Sequence, residues 1–203
     1  MKQGKGIVLM VLPLLLGLKQ TFAQGARSPE TLLGEGSTPL GVMIAPSVGL
    51  TRMDGATTAL LTVRGGVVFT DRLTVGGFYT ASLNEIYPRS ETLPSLYMDY
   101  RAGGGLVEYT VLSSRLLHLS FPLLVGVGEV AMDNQLGTAG LGERNFVVIE
   151  PSALLELNVH RFVRLNAGFG YRLISNMAYR NLTQRELSGL TGQIGLKIGL
   201  FRH

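Results

Sequence analysis

The chemistry that this chain could perform rests first on a histidine and a serine two positions apart. His118 and Ser120 fall on the same face of an alternating apolar run. A histidine close to a serine can act as the base that turns the hydroxyl into a nucleophile, as in hydrolases. The alternative is that both are polar packing residues. The position of this run in the fold decides between the two interpretations.

Paired carboxylates are the next candidates, because they can serve as general acid and general base. Glu150 and Glu156 lie six positions apart in the second half of the chain. On an extended strand that separation corresponds to ~20 Å, which is wider than the spacing of glycosidase carboxylates. We therefore interpret the two glutamates as salt-bridge partners.

Metal and cofactor sites are not predicted. The chain has three histidines, at positions 118, 160 and 203, and no cysteine, and they show no ligand spacing. The glycine clusters, such as 103–105, lie inside strand-like runs and precede no helix, so they do not form phosphate loops. We expect no cofactor.

The candidate residues belong to runs in which apolar and polar side chains alternate. Residues 146–174 form two such runs with one break between them, which is typical of a β-hairpin. The apolar residues of both strands must lie on the same face of the hairpin. The numbers of two residues that lie directly opposite each other must therefore sum to an even value. A turn at the break sets Glu150 opposite Arg172 and Glu156 diagonal to Arg164. The sequence therefore predicts two salt bridges on the polar face of the hairpin.

The alternation recurs along most of the chain, in about eight runs of ~10 to 13 residues. Such runs exceed the ~5 to 6 residues of a soluble strand and approach the ~9 to 11 of a tilted membrane strand. The links alternate short and long, as in outer-membrane barrels with both termini in the periplasm. The sequence predicts an all-β fold, an antiparallel up-and-down transmembrane β-barrel over residues 40–203. Its external loops are predicted at 83–96, 130–145 and 175–189.

The polar face is predicted to point into the barrel. It is dominated by Gly, Ser, Thr and Ala with few long charged residues, whereas a solvated face is usually rich in Lys, Glu and Asp. An eight-stranded barrel has an interior just wide enough for side chains to fill. Small residues and paired charges suit that space. The alternative is a soluble periplasmic barrel that buries its leucine-rich face and binds an apolar ligand.

Two groups of residues follow from this orientation. The first would close the lumen through mutual salt bridges and is structural. It comprises Arg64, Arg101, Glu150, Glu156, Arg164, Arg172 and Lys197. The second would contact outer-membrane lipid, and comprises Leu117, Leu119, Leu123, Leu155, Leu157, Leu165, Phe169, Ile194, Leu196 and Ile198.

Smaller features complete the barrel. Pro46, Pro122 and Pro151 fall within strands, where each removes a ladder donor, so we expect bulges there. Thr183 and Glu186 fit a capping box, which indicates a helical turn in the last long loop.

The N-terminal residues indicate export. Residues 1–23 have a basic start, an apolar run and a small-x-small cleavage site, and are predicted to be a cleaved signal peptide. Residues 24–39 are predicted to be a flexible tail. The net charge of +4 includes three lysines of the signal segment, so the mature chain is close to neutral. No nucleic-acid role follows from that balance.

Several stretches resemble outer-membrane β-barrel proteins of Gram-negative bacteria. They are GVMIAPSVGLT, LTVRGGVVFTDRLTVGGFY, FVVIEPSALLELNVHRFVRLNAGFGYR and RELSGLTGQIGLKIGLF, and they are most similar to a group of small, functionally uncharacterised barrels. The resemblance implies an outer-membrane location and recognition by the assembly machinery through an aromatic residue at the end of the last strand. Here Phe201 falls on the polar parity and is followed by Arg202 and His203. For the assembly machinery to recognise the last strand, the signal would have to be counted from Leu200, or a bulge would have to return Phe201 to the apolar face.

The barrel prediction makes catalysis the less favoured function. The His118 and Ser120 motif resembles that of outer-membrane lipid A deacylases, but it follows a short link and so falls near the periplasmic end, whereas lipid A occupies the outer leaflet. We expect both residues to fill the lumen, and we predict a non-catalytic envelope protein that acts through its external loops or as a structural part of the membrane. The alternatives are a subunit of a larger envelope assembly with protein partners, a lipid-modifying enzyme, and the soluble periplasmic barrel.

Overall fold

A computed structural model shows a closed β-barrel and describes residues 40–89, 96–134, 143–176, 178–179 and 182–201. The predicted signal peptide and tail lie outside these ranges. No described helix is long and apolar enough to cross a membrane. The barrel strands are β1 (Leu40–Met53), β2 (Ala56–Phe69), β3 (Leu73–Ser82), β4 (Leu96–Val111), β5 (Leu117–Asn134), β6 (Glu143–His160), β7 (Val163–Ser175) and β10 (Gly189–Gly199).

Each barrel strand pairs antiparallel with its neighbour in the chain order, and β10 returns to pair with β1. At the closing seam Ile44 lies opposite Ile198 and Val48 opposite Ile194. Apolar side chains therefore meet on one side of the seam, because side chains alternate across a strand. The predicted fold class, an antiparallel barrel of eight strands, is confirmed.

The two ends of the barrel differ in their connections. One end carries the short turns 70–72, 112–116 and 161–162, together with both ends of the described barrel, Leu40 and Phe201. We call it the turn end. The opposite end carries the Asp54–Gly55 hairpin turn, in which both residues have positive φ, and the long connections. We call it the loop end.

The register of the β6–β7 hairpin is the predicted one along most of its length. Asn158 lies opposite Arg164 and Ile149 opposite Leu173, with a shift only beside His160 at the turn. The expectation of bulges at the three in-strand prolines is wrong. The register continues unchanged past Pro46, Pro122 and Pro151, because the ladder on one side of each proline skips two pairs and then resumes in the same register.

The loop end holds short elements of its own. Strands β8 (Ala178–Tyr179) and β9 (Leu182–Thr183) pair, and helix α1 (Gln184–Leu187) follows them. The predicted capping box is present, since the Glu186 carboxylate accepts a hydrogen bond from the Thr183 N–H. The predicted loop 130–145 is shorter than expected, because β5 extends to Asn134 and β6 begins at Glu143.

Inward-facing glycines let neighbouring strands of the barrel approach closely. A Cβ on Gly76 would lie 1.9 Å from the carbonyl oxygen of Gly65, and one on Gly104 would lie 2.3 Å from that of Val125. No side chain fits at such distances, so glycine is required at both positions. The barrel wall can bend sharply at these glycines. Larger side chains occupy the rest of the interior.

Candidate functional site

The turn-end half of the lumen contains a buried ion network centred on Lys197. The Lys197 ammonium contacts both Glu108 and Glu156, and all three side chains are at most 2% exposed. Arg64 donates from Nη1 to Glu108 Oε2 at 3.3 Å. The four residues come from β10, β4, β6 and β2, so the network crosses the lumen and joins different sides of the wall.

Glu156 is the most heavily bonded member of this network. Its Oε1 accepts a hydrogen bond from Ser120 Oγ at 2.8 Å, and its Oε2 lies 3.0 Å from His118 Nε2. Arg164 Nη1 lies 3.8 Å from the same oxygen, so the predicted contact of Glu156 with Arg164 is present. We define the ion network as Arg64, Glu108, His118, Ser120, Glu156, Arg164 and Lys197.

The geometry of His118 and Ser120 differs from that of a catalytic dyad. Each contacts a separate oxygen of Glu156, and the second ring nitrogen of His118 lies 3.2 Å from the Arg115 carbonyl oxygen. Both ring nitrogens therefore face acceptor groups, and the Ser120 hydroxyl proton points to Glu156. Among the described hydrogen bonds none joins His118 to Ser120, and both side chains are buried inside the lumen.

The assignment of Arg101 to the lumen is wrong. Arg101 lies on the outer wall with its side chain 50% exposed, where it pairs with Glu129 directly across the β4–β5 ladder. The inward face of β4 carries Tyr100, Leu106 and Glu108 instead. Both faces of β4 mix apolar and polar residues, so alternation alone did not orient it. For the same reason the sequence did not indicate that Glu108, which is fully buried, belongs to the lumen.

Arg172 lies in the lumen but does not pair as predicted. It donates from Nε to the Leu187 carbonyl oxygen at 3.0 Å and from Nη2 to Thr51 Oγ1 at 3.1 Å. Among the ion pairs of the described residues, none joins Arg172 to Glu150, which is only partly buried. The register sets the two residues opposite each other, but the guanidinium turns toward the loop end, where α1 supplies an acceptor.

Most of the buried side chains in the loop-end half of the lumen are apolar, and Arg172 lies among them. Tyr100 stacks on Phe146 with ring centroids 5.4 Å apart, and Arg172 lies 5.2 Å above the Tyr100 ring. Side chains from the long connections insert into the mouth and are almost fully buried. We define the apolar plug as Met53, Ile86, Met98, Tyr100, Met132, Phe146, Leu182 and Leu187.

The turn end is covered by the last aromatic residue described. Phe201 is 7% exposed, and the Arg164 guanidinium lies 3.7 Å from its ring centroid. Its neighbour Leu200 points outward and is 54% exposed. Phe201 points inward because side chains of odd number face the lumen along β10. The bulge that would have turned Phe201 to the outer face is not present at this position.

The outer wall carries a continuous apolar band. On β5 the band runs from Leu117 to Val127, a distance of about 33 Å along the strand, or about 25 Å in height at the usual barrel tilt, which is the height of a membrane-barrel band. Glu129 and Asn145 mark its polar edge. All ten residues predicted to face lipid point outward and are exposed: Leu117, Leu119, Leu123, Leu155, Leu157, Leu165, Phe169, Ile194, Leu196 and Ile198.

Comparison with solved structures supports this architecture. The chain is similar to Neisserial surface protein A, with a TM-score of 0.59 and 15% identity, over 81% of this chain and 99% of that one. Ail of Yersinia pestis and the N-terminal β-barrel domain of OprF from Pseudomonas aeruginosa each give a TM-score of 0.47. Their identities are 14% and 11%, and the alignments cover 79% and 78% of this chain and 97% and 96% of theirs.

No protein-family model and no curated protein matches the chain. At 15% identity the likeness to Neisserial surface protein A establishes the fold and nothing further. The chain has the fold of the small outer-membrane β-barrels.

Proposed function

We propose that the chain is a non-catalytic outer-membrane β-barrel of a Gram-negative envelope, exported by a cleaved signal peptide, with a closed lumen and external loops. The observation that carries this proposal is the inversion of the barrel, with leucines, isoleucines and valines outside and an ion network inside. A soluble barrel has the opposite arrangement. The soluble ligand-binding alternative is therefore disfavoured.

The outer surface supports a lipid environment on energetic grounds. A soluble monomer rarely exposes a contiguous apolar patch larger than a few hundred Å². Here the band encircles the wall, since every barrel strand contributes exposed aliphatic or aromatic residues. In a bilayer that surface is buried, and the closed ladder leaves no strand edge unpaired, which is the condition for crossing hydrocarbon.

The lumen supports a structural or surface role rather than transport or catalysis. In support of this role, the buried side chains of the ion network and of the apolar plug point into the lumen. The His118 and Ser120 geometry does not favour a hydrolase. Neisserial surface protein A is a surface protein by name, and we infer the same exposure for the loop end of this chain.

A subunit of a larger envelope assembly is the second candidate. Gly65, Gly77 and Gly105 face outward and lie side by side on three adjacent strands. A Cβ on Gly65 or Gly105 would meet no atom closer than 3.6 Å. The fold of this chain alone therefore does not require glycine at these two positions. The resulting flat strip suits close approach by a partner wall. Recovery of a stoichiometric partner in mild detergent would favour this candidate.

The proposal is tested by location and by gel mobility. The folded barrel should sediment with outer membranes, and unboiled samples should migrate faster on SDS gels than boiled ones. Recovery of the chain in a soluble periplasmic fraction without detergent would contradict the proposal. The enzyme alternative predicts altered lipid A in cells that overproduce the chain. It predicts unaltered lipid A in cells that overproduce the His118→Ala variant.

A further inference from the structure

The turn between β4 and β5 exposes leucines where a solvent-facing turn is normally polar. Leu112 is 56% exposed and Leu116 is 67% exposed. Both lie beyond the ends of the strands, at the turn end. Turns in water favour Gly, Asn, Asp, Ser and Pro, so two exposed leucines indicate a surrounding that is not simply water.

The backbone of Leu112 strengthens this argument. Its φ is 58°, in the left-handed region that non-glycine residues rarely adopt. Glycine or asparagine would relieve the strain at this position. Strained residues cluster at functional positions, and the leucine side chain is what glycine or asparagine would lack.

Side chains of the lumen hold this turn in place. Asn158 donates from Nδ2 to the carbonyl oxygens of Ser113, at 3.3 Å, and Arg115, at 2.8 Å. The Asn158 N–H bonds the Leu116 carbonyl oxygen at 2.9 Å, and His118 Nδ1 lies 3.2 Å from that of Arg115. Arg115 and Leu116 are therefore presented on a fixed backbone.

Exposed arginines lie at the same end of the barrel as the leucines. The three described turns of this end carry Arg72, Arg115 and Arg161 against a single acid, Asp71. The Thr110 N–H bonds the Arg72 carbonyl oxygen at 2.6 Å, so the first turn lies beside the second. At the loop end, by contrast, Arg101 is matched by Glu129. The turn end thus combines apolar side chains with an excess of positive charge.

We propose that the turn end binds anionic glycerophospholipids of the inner leaflet, with Leu112 and Leu116 in the acyl-chain boundary and Arg72, Arg115 and Arg161 on the lipid phosphates. The proposal rests on the membrane location proposed above. Leucines beside arginines are the composition of segments that lie in the headgroup layer. Each arginine near an anionic leaflet strengthens the attraction, by about fivefold.

The absence of tryptophan from the chain permits a direct test. Leu116→Trp places a single fluorophore in the turn, and Gln184→Trp places one in the exposed helix α1 as the reference. Each variant is folded into phosphatidylcholine vesicles with brominated acyl chains. We expect the Leu116→Trp fluorescence to fall by more than half and the Gln184→Trp fluorescence to change little. Phe162→Trp, a conservative change on the neighbouring turn, is the second reporter.

Lipid selectivity is measured in the same variant with brominated phosphatidylglycerol mixed into plain phosphatidylcholine. Quenching should show enrichment of phosphatidylglycerol by about fivefold beside the turn. Combining Arg115→Gln with Leu116→Trp should reduce that enrichment. Combining Arg52→Gln, at the loop end, with Leu116→Trp should leave it unchanged. Quenching without enrichment would overturn phosphate binding, and an unquenched folded barrel would place the turn in water and overturn the whole proposal. A chain that fails to fold into vesicles and shows no gel shift would contradict the membrane location itself.

Discussion

The two halves of the lumen contain different kinds of buried contact. At the turn end the ion network joins side chains that belong to strands, with Lys197 shared by Glu108 and Glu156. At the loop end the apolar plug combines strand residues such as Phe146 with residues of the connections, Ile86 and Leu187. The network depends on strand register alone, whereas the plug depends on how the loops fold back.

This difference separates the stability of the barrel from the closure of its mouth. Removal of one member of a buried ion network leaves an uncompensated charge, which is costly because the interior is poorly hydrated. Removal of a plug residue leaves a cavity, and the nearby loops can partly relax into it. We expect network variants to lower the free energy of unfolding of the barrel most, and variants of the plug residues that come from the connections to loosen the loop end.

The largest effect is expected for Glu156→Gln. The substitution keeps the size of the side chain but removes the charge that faces Lys197, His118 and Arg164. The free energy of unfolding should fall by about 3 to 5 kcal/mol, measured by urea unfolding of the barrel in vesicles. Glu129→Gln, in the exposed pair, is the matched control and should cost less than about 1 kcal/mol. Equal losses for the two variants would remove the distinction between buried and exposed pairs.

Phe146→Ala should have the next largest effect. Phe146 is 2% exposed and stacks on Tyr100, so truncation removes buried contacts and should cost about 3 kcal/mol. Phe169→Ala, on the outer wall, should cost less in the same urea titration. A larger loss at Phe169 would show that contact with lipid contributes more than the plug.

Leu187→Ser should open the loop end without unfolding the barrel. Leu187 is fully buried at the end of α1, and loss of its contacts should favour local opening by about 2 kcal/mol. Tryptic cleavage after Arg185 should then accelerate by roughly 30-fold, while the unboiled protein keeps its fast gel mobility. The outward-facing Leu190→Ser serves as the control. Loss of the gel shift in Leu187→Ser would mean that the two halves are not separable.

The smallest effect is expected for the exposed pair of Arg101 and Glu129. A double-mutant cycle should give a coupling energy below about 1 kcal/mol, because solvent screens the pair. The corresponding cycle on Glu108 and Lys197 should give a larger value, since both side chains are almost fully buried. Similar coupling energies would argue that the lumen is as well hydrated as the surface.

The sequence predicted those features that alternation encodes. Strict alternation in β6 and β7 fixed the register of their hairpin, and the outward face of β5 was unambiguous. The orientation of β4 could not be predicted, because apolar Tyr100 and Leu106 face inward together with the charged Glu108, while Arg101 faces outward at the polar edge. The sequence-based prediction assumed that the whole lumen is polar. Under that assumption a strand with apolar inward residues is assigned the wrong orientation.

The partners of the buried charges were also beyond reach of the sequence. Opposition across one hairpin suggested that Arg172 pairs with Glu150, but the arginine bonds Leu187, which belongs to a distant connection. Likewise Lys197 meets carboxylates of two strands that are not its neighbours in the ladder. Contacts across a lumen depend on closure of the barrel, which local patterns do not encode.

The ion network has a consequence for how sequences of this kind can diverge. Because its ion pairs use strand residues only, the wall is held together without help from the loops. The connections then need to retain little more than one apolar side chain each, such as Ile86 or Leu187, to seal the mouth. Substitutions and insertions elsewhere in the loops can accumulate at little cost to folding, so the loop-end surface is free to vary while the barrel stays the same.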